Sequence, residues 1–211
     1  MKTFLILYSY ASLILAWIAY YHIDLPLTEY YHANLYDEVW HFFRNITESG
    51  EGLYWIVPPG FVYLFYRYAP LKWMPFSNWL IKHRSQDMRV MGFVALTALM
   101  SGLIVNILKL VFGRYRPVEF FDSQNYGMTW FAYGYEMGSF PSGHSATAMA
   151  VATAIALMFS RYRIPVLLFG ILVTFSRVVI TKHYFSDVLI GGYIGVLTSV
   201  FLYYRYYYEK K

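Results

Sequence analysis

Long apolar runs, separated by short segments that hold most of the charge, constrain this chain more than any other feature. Runs of this length suit helices that cross a bilayer. Hydrophobic residues make up 58% of the 211, aromatics 22% and charged residues only 14%, which places the chain with integral membrane proteins and not with soluble domains. There is no cysteine, so disulfide frameworks and thiolate chemistry are excluded. A formal charge of +5 would be compatible with nucleic acid binding, but the basic residues are dispersed among apolar runs. Basic loops beside a membrane account for them better, and no nucleic acid partner is expected.

Read in order, the chain predicts an all-α, six-transmembrane helical bundle forming one domain over residues 1–211. The spans are expected at Thr3 to Tyr21 (uncleaved, since no small-residue cleavage site follows), Leu53 to Tyr68, Val90 to Leu108, Ser145 to Ser160, Ile164 to Ile180 and Val188 to Tyr204. The second is short and carries Pro58 and Pro59, tolerable in a membrane helix when neighbours re-satisfy the freed carbonyls. Between spans one and two, His22 to Gly52 is polar and acidic. Leu35, Val39, Phe42, Phe43 and Ile46 recur there at helical spacing, predicting a short interfacial helix that covers the bundle.

Six spans put both termini on one side. The basic loop Pro70 to Arg89, the turn holding Arg161 and Arg163, and the tail with Arg205, Lys210 and Lys211 share that side. The positive-inside rule makes it cytoplasmic. The connection after span three lies opposite yet carries Lys109, Arg114 and Arg116, so these cations need another explanation.

Three blocks meet at the outer end of such a bundle: Lys109 with Arg116 and Pro117 in KLVFGRYRP, Pro141 to His144 in FPSGHSA, and Ser176, Arg177, His183 and Asp187 in SRVVITKHYFSD. Charge beside a membrane span is costly and marks function. His183 and Asp187 are four apart, a spacing that stacks side chains on one helical face and lets a carboxylate hold an imidazole in one tautomer. Three fixed cations, two histidines and a carboxylate suit phosphoryl transfer, where catalysis is largely positioning and charge stabilisation. Arginine forks match phosphate oxygens, and Ser142 with Gly143 stands where a helix N-terminus would offer backbone N–H groups to an anion. One histidine can attack phosphorus while the other gives a proton to the leaving oxygen. No acidic or histidine cluster has metal-ligand spacing, so three cations take the place of a metal and no cofactor is expected.

Lys109-x6-Arg116-Pro117, Pro141-Ser142-Gly143-His144 and Ser176-Arg177-x5-His183-x3-Asp187 resemble the signature of the type-2 phosphatidic acid phosphatase superfamily at every fixed position and in order. The resemblance implies that His183 is the nucleophile forming a phosphohistidine, with Asp187 orienting it and His144 acting as general acid. It implies that Lys109, Arg116 and Arg177 clamp the phosphate, helped by Ser142 and the backbone at Gly143, with Ser176 in support. The implied substrate is a phosphorylated membrane lipid, and the implied location a bacterial inner membrane with the site on the periplasmic face. Undecaprenyl diphosphate, phosphatidylglycerol phosphate, phosphatidic acid and lipid A are family substrates. The context YEMGSFPSGHSA with FRNITESGEG is similar to bacterial lipid A 1-phosphatases.

Simpler roles compete at individual positions. Lys109 and Arg116 would be snorkelling anchors if they served only the membrane. Arg114 has no motif position and is expected to be an interfacial anchor. His22, His32, His41 and His83 read as surface or loop histidines, and Tyr126, Trp130, Phe131, Tyr133 and Tyr135 as an aromatic belt. A phosphotransferase passing the phosphoryl group to another lipid would use the same residues. A transporter or scaffold with charges lining a path would survive His183→Ala unchanged.

Overall fold

The computed structural model describes residues 2–68, 87–131 and 134–208. Most of the expected basic loop after span two, Tyr133 and the tail lysines Lys210 and Lys211 lie outside the described residues. Within them the fold is all-helical, without a β-strand: α1 (Lys2–His22), α2 (Asp24–Asn34), α3 (Asp37–Glu48), α4 (Gly52–Tyr68), α5 (Asp87–Val111), α6 (Pro117–Ser123), α7 (Gly143–Met158), α8 (Arg163–Val179) and α9 (Phe185–Tyr203). Four segments are long and apolar enough to cross a bilayer: Leu5–His22, Met88–Val111, Ser160–Val179 and Phe185–Tyr207.

The bundle is built around α7. With Ala146, Ala148, Ala150, Ala152, Ala154 and Ala156 all buried, it is enclosed on every side, chiefly by α5, α8 and α9. Its contact with α9 is a small-residue seam of the kind that lets membrane helices approach backbone to backbone. A Cβ on Gly191 would land on the Ser142 carbonyl oxygen, and one on Gly195 on that of Ala146. Ser199 Oγ completes the seam, donating to the Ala150 carbonyl at 2.6 Å. Apolar clusters flank it: Val90, Phe93, Val94, Ala98, Val151, Ala154 and Leu202 at one end, and Ala16, Val105, Ala146, Ile190 and Ile194 toward the other. At 16 residues, α7 is about 24 Å long, shorter than a hydrocarbon core of about 30 Å. Helix α4 carries both Pro58 and Pro59 and packs on α5, where Gly92 makes room for the Tyr63 ring.

Two sequence expectations change here. The acidic segment is not one helix but two, broken at Leu35 and Tyr36, so Leu35 leaves the face expected to hold Val39, Phe42, Phe43 and Ile46. The second of the pair, α3, packs against α8. Arg114 is not an interfacial anchor: its side chain is fully buried, because two carboxylates distant in sequence close around it.

Candidate active site

The C-terminal end of α5, the N-terminal ends of α7 and α9, and the C-terminal end of α8 meet at one end of the bundle. Ser142 caps α7, its side-chain oxygen accepting from the Ser145 hydroxyl at 2.9 Å, while its own N–H donates to the Asp187 carbonyl at 3.1 Å. Gly143 opens the helix with space beside it: a Cβ there would meet only Val105 Cγ1, at 3.9 Å. The first turn of α7 is thus tied to the first turn of α9.

The segment after α5 is pinned by backbone bonds to the long polar connection. Arg114 N–H donates to Met137 O at 2.7 Å, Arg116 N–H to Glu136 O at 2.8 Å, and Ser139 N–H to Arg114 O at 3.0 Å. These bonds bring Gly138 and Ser139 against the cations. Lys109 Nζ donates to Gly138 O at 2.7 Å, and Arg116 reaches Tyr135 O at 2.7 Å, Lys182 O at 3.2 Å and Gly138 O at 3.3 Å. The Arg116 guanidinium also sits 4.1 Å from the centre of the Tyr135 ring. Arg177 donates through Nη1 to Thr47 Oγ1 at 3.1 Å, and its buried Nε has no hydrogen-bond partner.

His183 lies in the turn between α8 and α9, not on a helix. Its N–H and that of Lys182 both donate to Arg177 O, at 3.2 and 3.0 Å, and α9 begins only at Phe185. The four-residue spacing to Asp187 therefore works as a helix cap: Asp187 Oδ2 accepts the Tyr184 N–H at 3.0 Å. His183 Nδ1 is 2.8 Å from the Ser139 carbonyl, with Asp187 Oδ2 at 3.7 Å. A carbonyl can only accept, so Nδ1 carries the proton and Nε2 keeps its lone pair. Burial holds the imidazole well below its ordinary pKa; Arg116, Arg177 and Lys109 add to this, while Asp187 pulls the other way.

Asp187 is itself held from several directions. Arg114 Nη1 donates to Oδ1 at 2.6 Å and Ser139 Oγ to Oδ2 at 2.6 Å. Arg114 Nη2 pairs with Asp24 at 2.7 Å, and Asp24 in turn accepts the Ser186 N–H at 2.9 Å. Tyr20, Tyr126 and Tyr184 stack around the guanidinium, their ring centres 4.7, 5.3 and 4.2 Å away. Burial opposes the Arg114 charge, but Asp187 and Asp24 outweigh it and hold the group above its ordinary pKa. Asp24, Arg114, Ser139 and Ser186 are the residues sequence reasoning missed. The available signal was Arg114 itself, an unassigned cation on the side where the charge rule expects none.

His144 stands apart on the first turn of α7. Its Nε2 is 3.4 Å from Glu51 Oε2, and both residues line a cleft of about 390 Å³ with Thr47, Arg177 and Lys182. Lys109 and Arg116 line a second cleft of about 380 Å³ with Asn106, Tyr135 and Gly138. Arg177 shares the first cleft with His144, Arg116 Nη1 reaches the carbonyl of Lys182 beside His183, and Ser142 N–H reaches that of Asp187, so the structure brings together residues from all three sequence blocks.

The chain is similar to known proteins in sequence and in fold. The family model of the PAP2 superfamily matches residues 90–211. A lipid A 1-phosphatase of Rhizobium etli is 38% identical over 113 residues, covering 52% of this chain; the match spans 49% of that relative's length. Among solved structures, Aquifex aeolicus LpxE aligns over 85% of this chain and 93% of its own, at 19% identity and a TM-score of 0.57. A phosphatidylglycerolphosphate phosphatase from Bacillus subtilis aligns over 98% and 96%, at 21% identity and a TM-score of 0.56. At these identities the two structures show a common fold.

Proposed function

The chain belongs to the PAP2 superfamily, and on that premise we propose that it is a membrane lipid phosphatase working through a phosphohistidine. The observation that carries this reading is the state of His183: Nδ1–H is committed to the Ser139 carbonyl, Nε2 is left with its lone pair, and three cations surround it. A neutral imidazole beside fixed positive charge is a nucleophile placed where phosphoryl oxygens would bind.

In the first step Nε2 of His183 bonds to phosphorus as the bond to the lipid oxygen breaks. Protonated His144 gives that oxygen its proton. In the second step a water oxygen bonds to phosphorus, the P–N bond breaks with its electron pair returning to Nε2, and His144 takes the proton that water loses. Lys109, Arg116 and Arg177 hold the equatorial oxygens, and the α7 N-terminus at Ser142 and Gly143 adds backbone N–H groups. Asp187 holds the His183 segment and balances charge through Arg114. With three cations supplying the charge, the reaction runs without a metal.

Helices α1, α4, α5, α7, α8 and α9 form the six spans, with both termini in the cytoplasm and the site at the periplasmic face of a bacterial inner membrane. The acidic helices α2 and α3 lie over the outer end. Lipid A is the favoured substrate, since a lipid A 1-phosphatase is 38% identical to this chain over 113 residues. The test is phosphate release from lipid A, undecaprenyl diphosphate, phosphatidylglycerol phosphate and phosphatidic acid by purified protein in detergent, with His183→Ala as control. Release that requires His183, is blocked by orthovanadate and survives a chelator supports the reading. Loss with chelator overturns metal independence. Phosphate that appears only on a second lipid would assign a phosphotransferase instead.

A further inference from the structure

We propose that Glu51 is a positioning residue for the general acid His144, giving the site a second histidine–carboxylate pair; the inference rests on the phosphatase reading above. The sequence assigned the segment between spans one and two only a covering role, and no signature block includes Glu51. The structure puts it inside the site.

Three observations converge. Glu51 Oε2 lies 3.4 Å from His144 Nε2, and of the two carboxylates lining that cleft, Glu51 and Glu48, it is Glu51 that reaches the imidazole. The connection that carries it is seated tightly. A Cβ on Gly50 would meet Val173 Cγ1 at 3.0 Å and His144 Cβ at 3.3 Å, and one on Gly52 would meet Thr147 Oγ1 at 3.5 Å. The Gly50–Glu51–Gly52 backbone is thus pressed onto the first turn of α7. Thr47 fastens the same connection by accepting from Arg177, a member of the phosphate clamp.

The chemistry asks for such a group. His144 must be protonated before the leaving oxygen departs, yet burial disfavours a proton there, and the charges of Arg177, Lys109 and Arg116 add to it. Arg44 and Lys182 line the same cleft and add to that field. A carboxylate at ion-pair distance offsets these cations and fixes the ring. Proton balance is kept: the imidazolium proton passes to the lipid oxygen, the ring keeps the electron pair, and the attacking water returns a proton to it. Glu51 exchanges no proton in either step.

Glu51→Gln keeps size and removes charge. Its effect is read on two substrates: a short-chain phosphatidic acid, whose alkoxide needs a proton to leave, and p-nitrophenyl phosphate, whose phenolate does not. General acid catalysis contributes about 10²–10⁴-fold, so weakening it costs kcat on the lipid on the order of tenfold more than on the aryl ester. Equal losses on both, or no loss on either, overturn the proposal. Nitrogen-resolved NMR titration of His144 provides a readout that needs no turnover: in Glu51→Gln it titrates at lower pH than in the wild type, and an unmoved titration overturns the proposal. A wild type that hydrolyses neither these substrates nor lipid A defeats the phosphatase reading, and the titration still decides the role of Glu51.

Discussion

The side chains of His183 and Asp187 are 2% and 0% exposed, whereas those of His144 and Glu51 are 27% and 44% exposed beside a cleft. Both pairs stand in the field of the same cations. The first is walled in by a carbonyl, a serine, a backbone N–H and an arginine that is itself clamped between carboxylates. The second has one partner across 3.4 Å and open space beside it. A nucleophile benefits from a fixed tautomer and direction of attack. A proton donor must meet a leaving group and then water, and so needs access.

The contrast can be broken or sharpened in five ways, from the largest effect downward. His183→Ala should remove at least about 10⁴-fold of turnover and all acid-labile phosphate trapped on the protein, with the detergent-solubilised fold intact. A trapped phosphoenzyme in that variant would move the nucleophile elsewhere. Asp24→Ala strikes the sealed pair from a distance. It leaves the buried Arg114 with one carboxylate, and breaking a buried ion pair costs about 3–5 kcal/mol, to be seen as a lowered unfolding midpoint in detergent. An unchanged midpoint would mean that the cluster does not hold the fold.

His144→Ala should cost about 10²–10³-fold on a lipid phosphate and much less on p-nitrophenyl phosphate, since only the open pair serves the leaving group. The pH response separates the pairs further. A histidine at its ordinary value near 6.5 is about 24% protonated at pH 7 and about 97% at pH 5, and would lose about twenty-five-fold in attack between them. Burial holds His183 well below that ordinary value, so it keeps a larger neutral fraction at pH 5 than such a histidine would. Single-turnover phosphoenzyme formation at saturating substrate should therefore drop by much less than about twenty-five-fold between pH 7 and pH 5. The smallest effect belongs to Tyr135→Ala, which removes the ring under Arg116. A cation–π contact of about 0.5–1 kcal/mol predicts a KM rise of about two- to five-fold, with kcat held.

The residues with local signatures were legible. Ser142 caps a helix that starts at Gly143, as the PSGH block suggested, and Lys109, Arg116, Arg177 and both histidines converge. Apolar runs located the helices to within a few residues because a membrane-length helix writes its period over many positions. What was not legible depended on contacts that leave no local pattern. Arg114 and Asp24 are 90 residues apart, Arg177 and Thr47 are 130 apart, and the acceptor for His183 Nδ1 is a backbone carbonyl that any residue could provide. The turn holding His183 was misread for a related reason: spacing by four suits a helix face and a helix cap equally well.

The Arg114 cluster also bears on how the protein is made. Asp24 follows the first helix, Arg114 follows α5, and Ser186 and Asp187 open α9, so its members are synthesised 90 and then 72–73 residues apart. Until α9 emerges, Asp24 and Arg114 lack two of the groups that satisfy them, and burying either charge alone is prohibitive. The cluster is therefore complete only once α9 is in place. Since Asp187 and His183 arrive in that same final stretch, the step that neutralises the cluster also sets the His183–Asp187 pair against Ser139. A chain that stops before Asp187 has neither the neutralised cluster nor that pair.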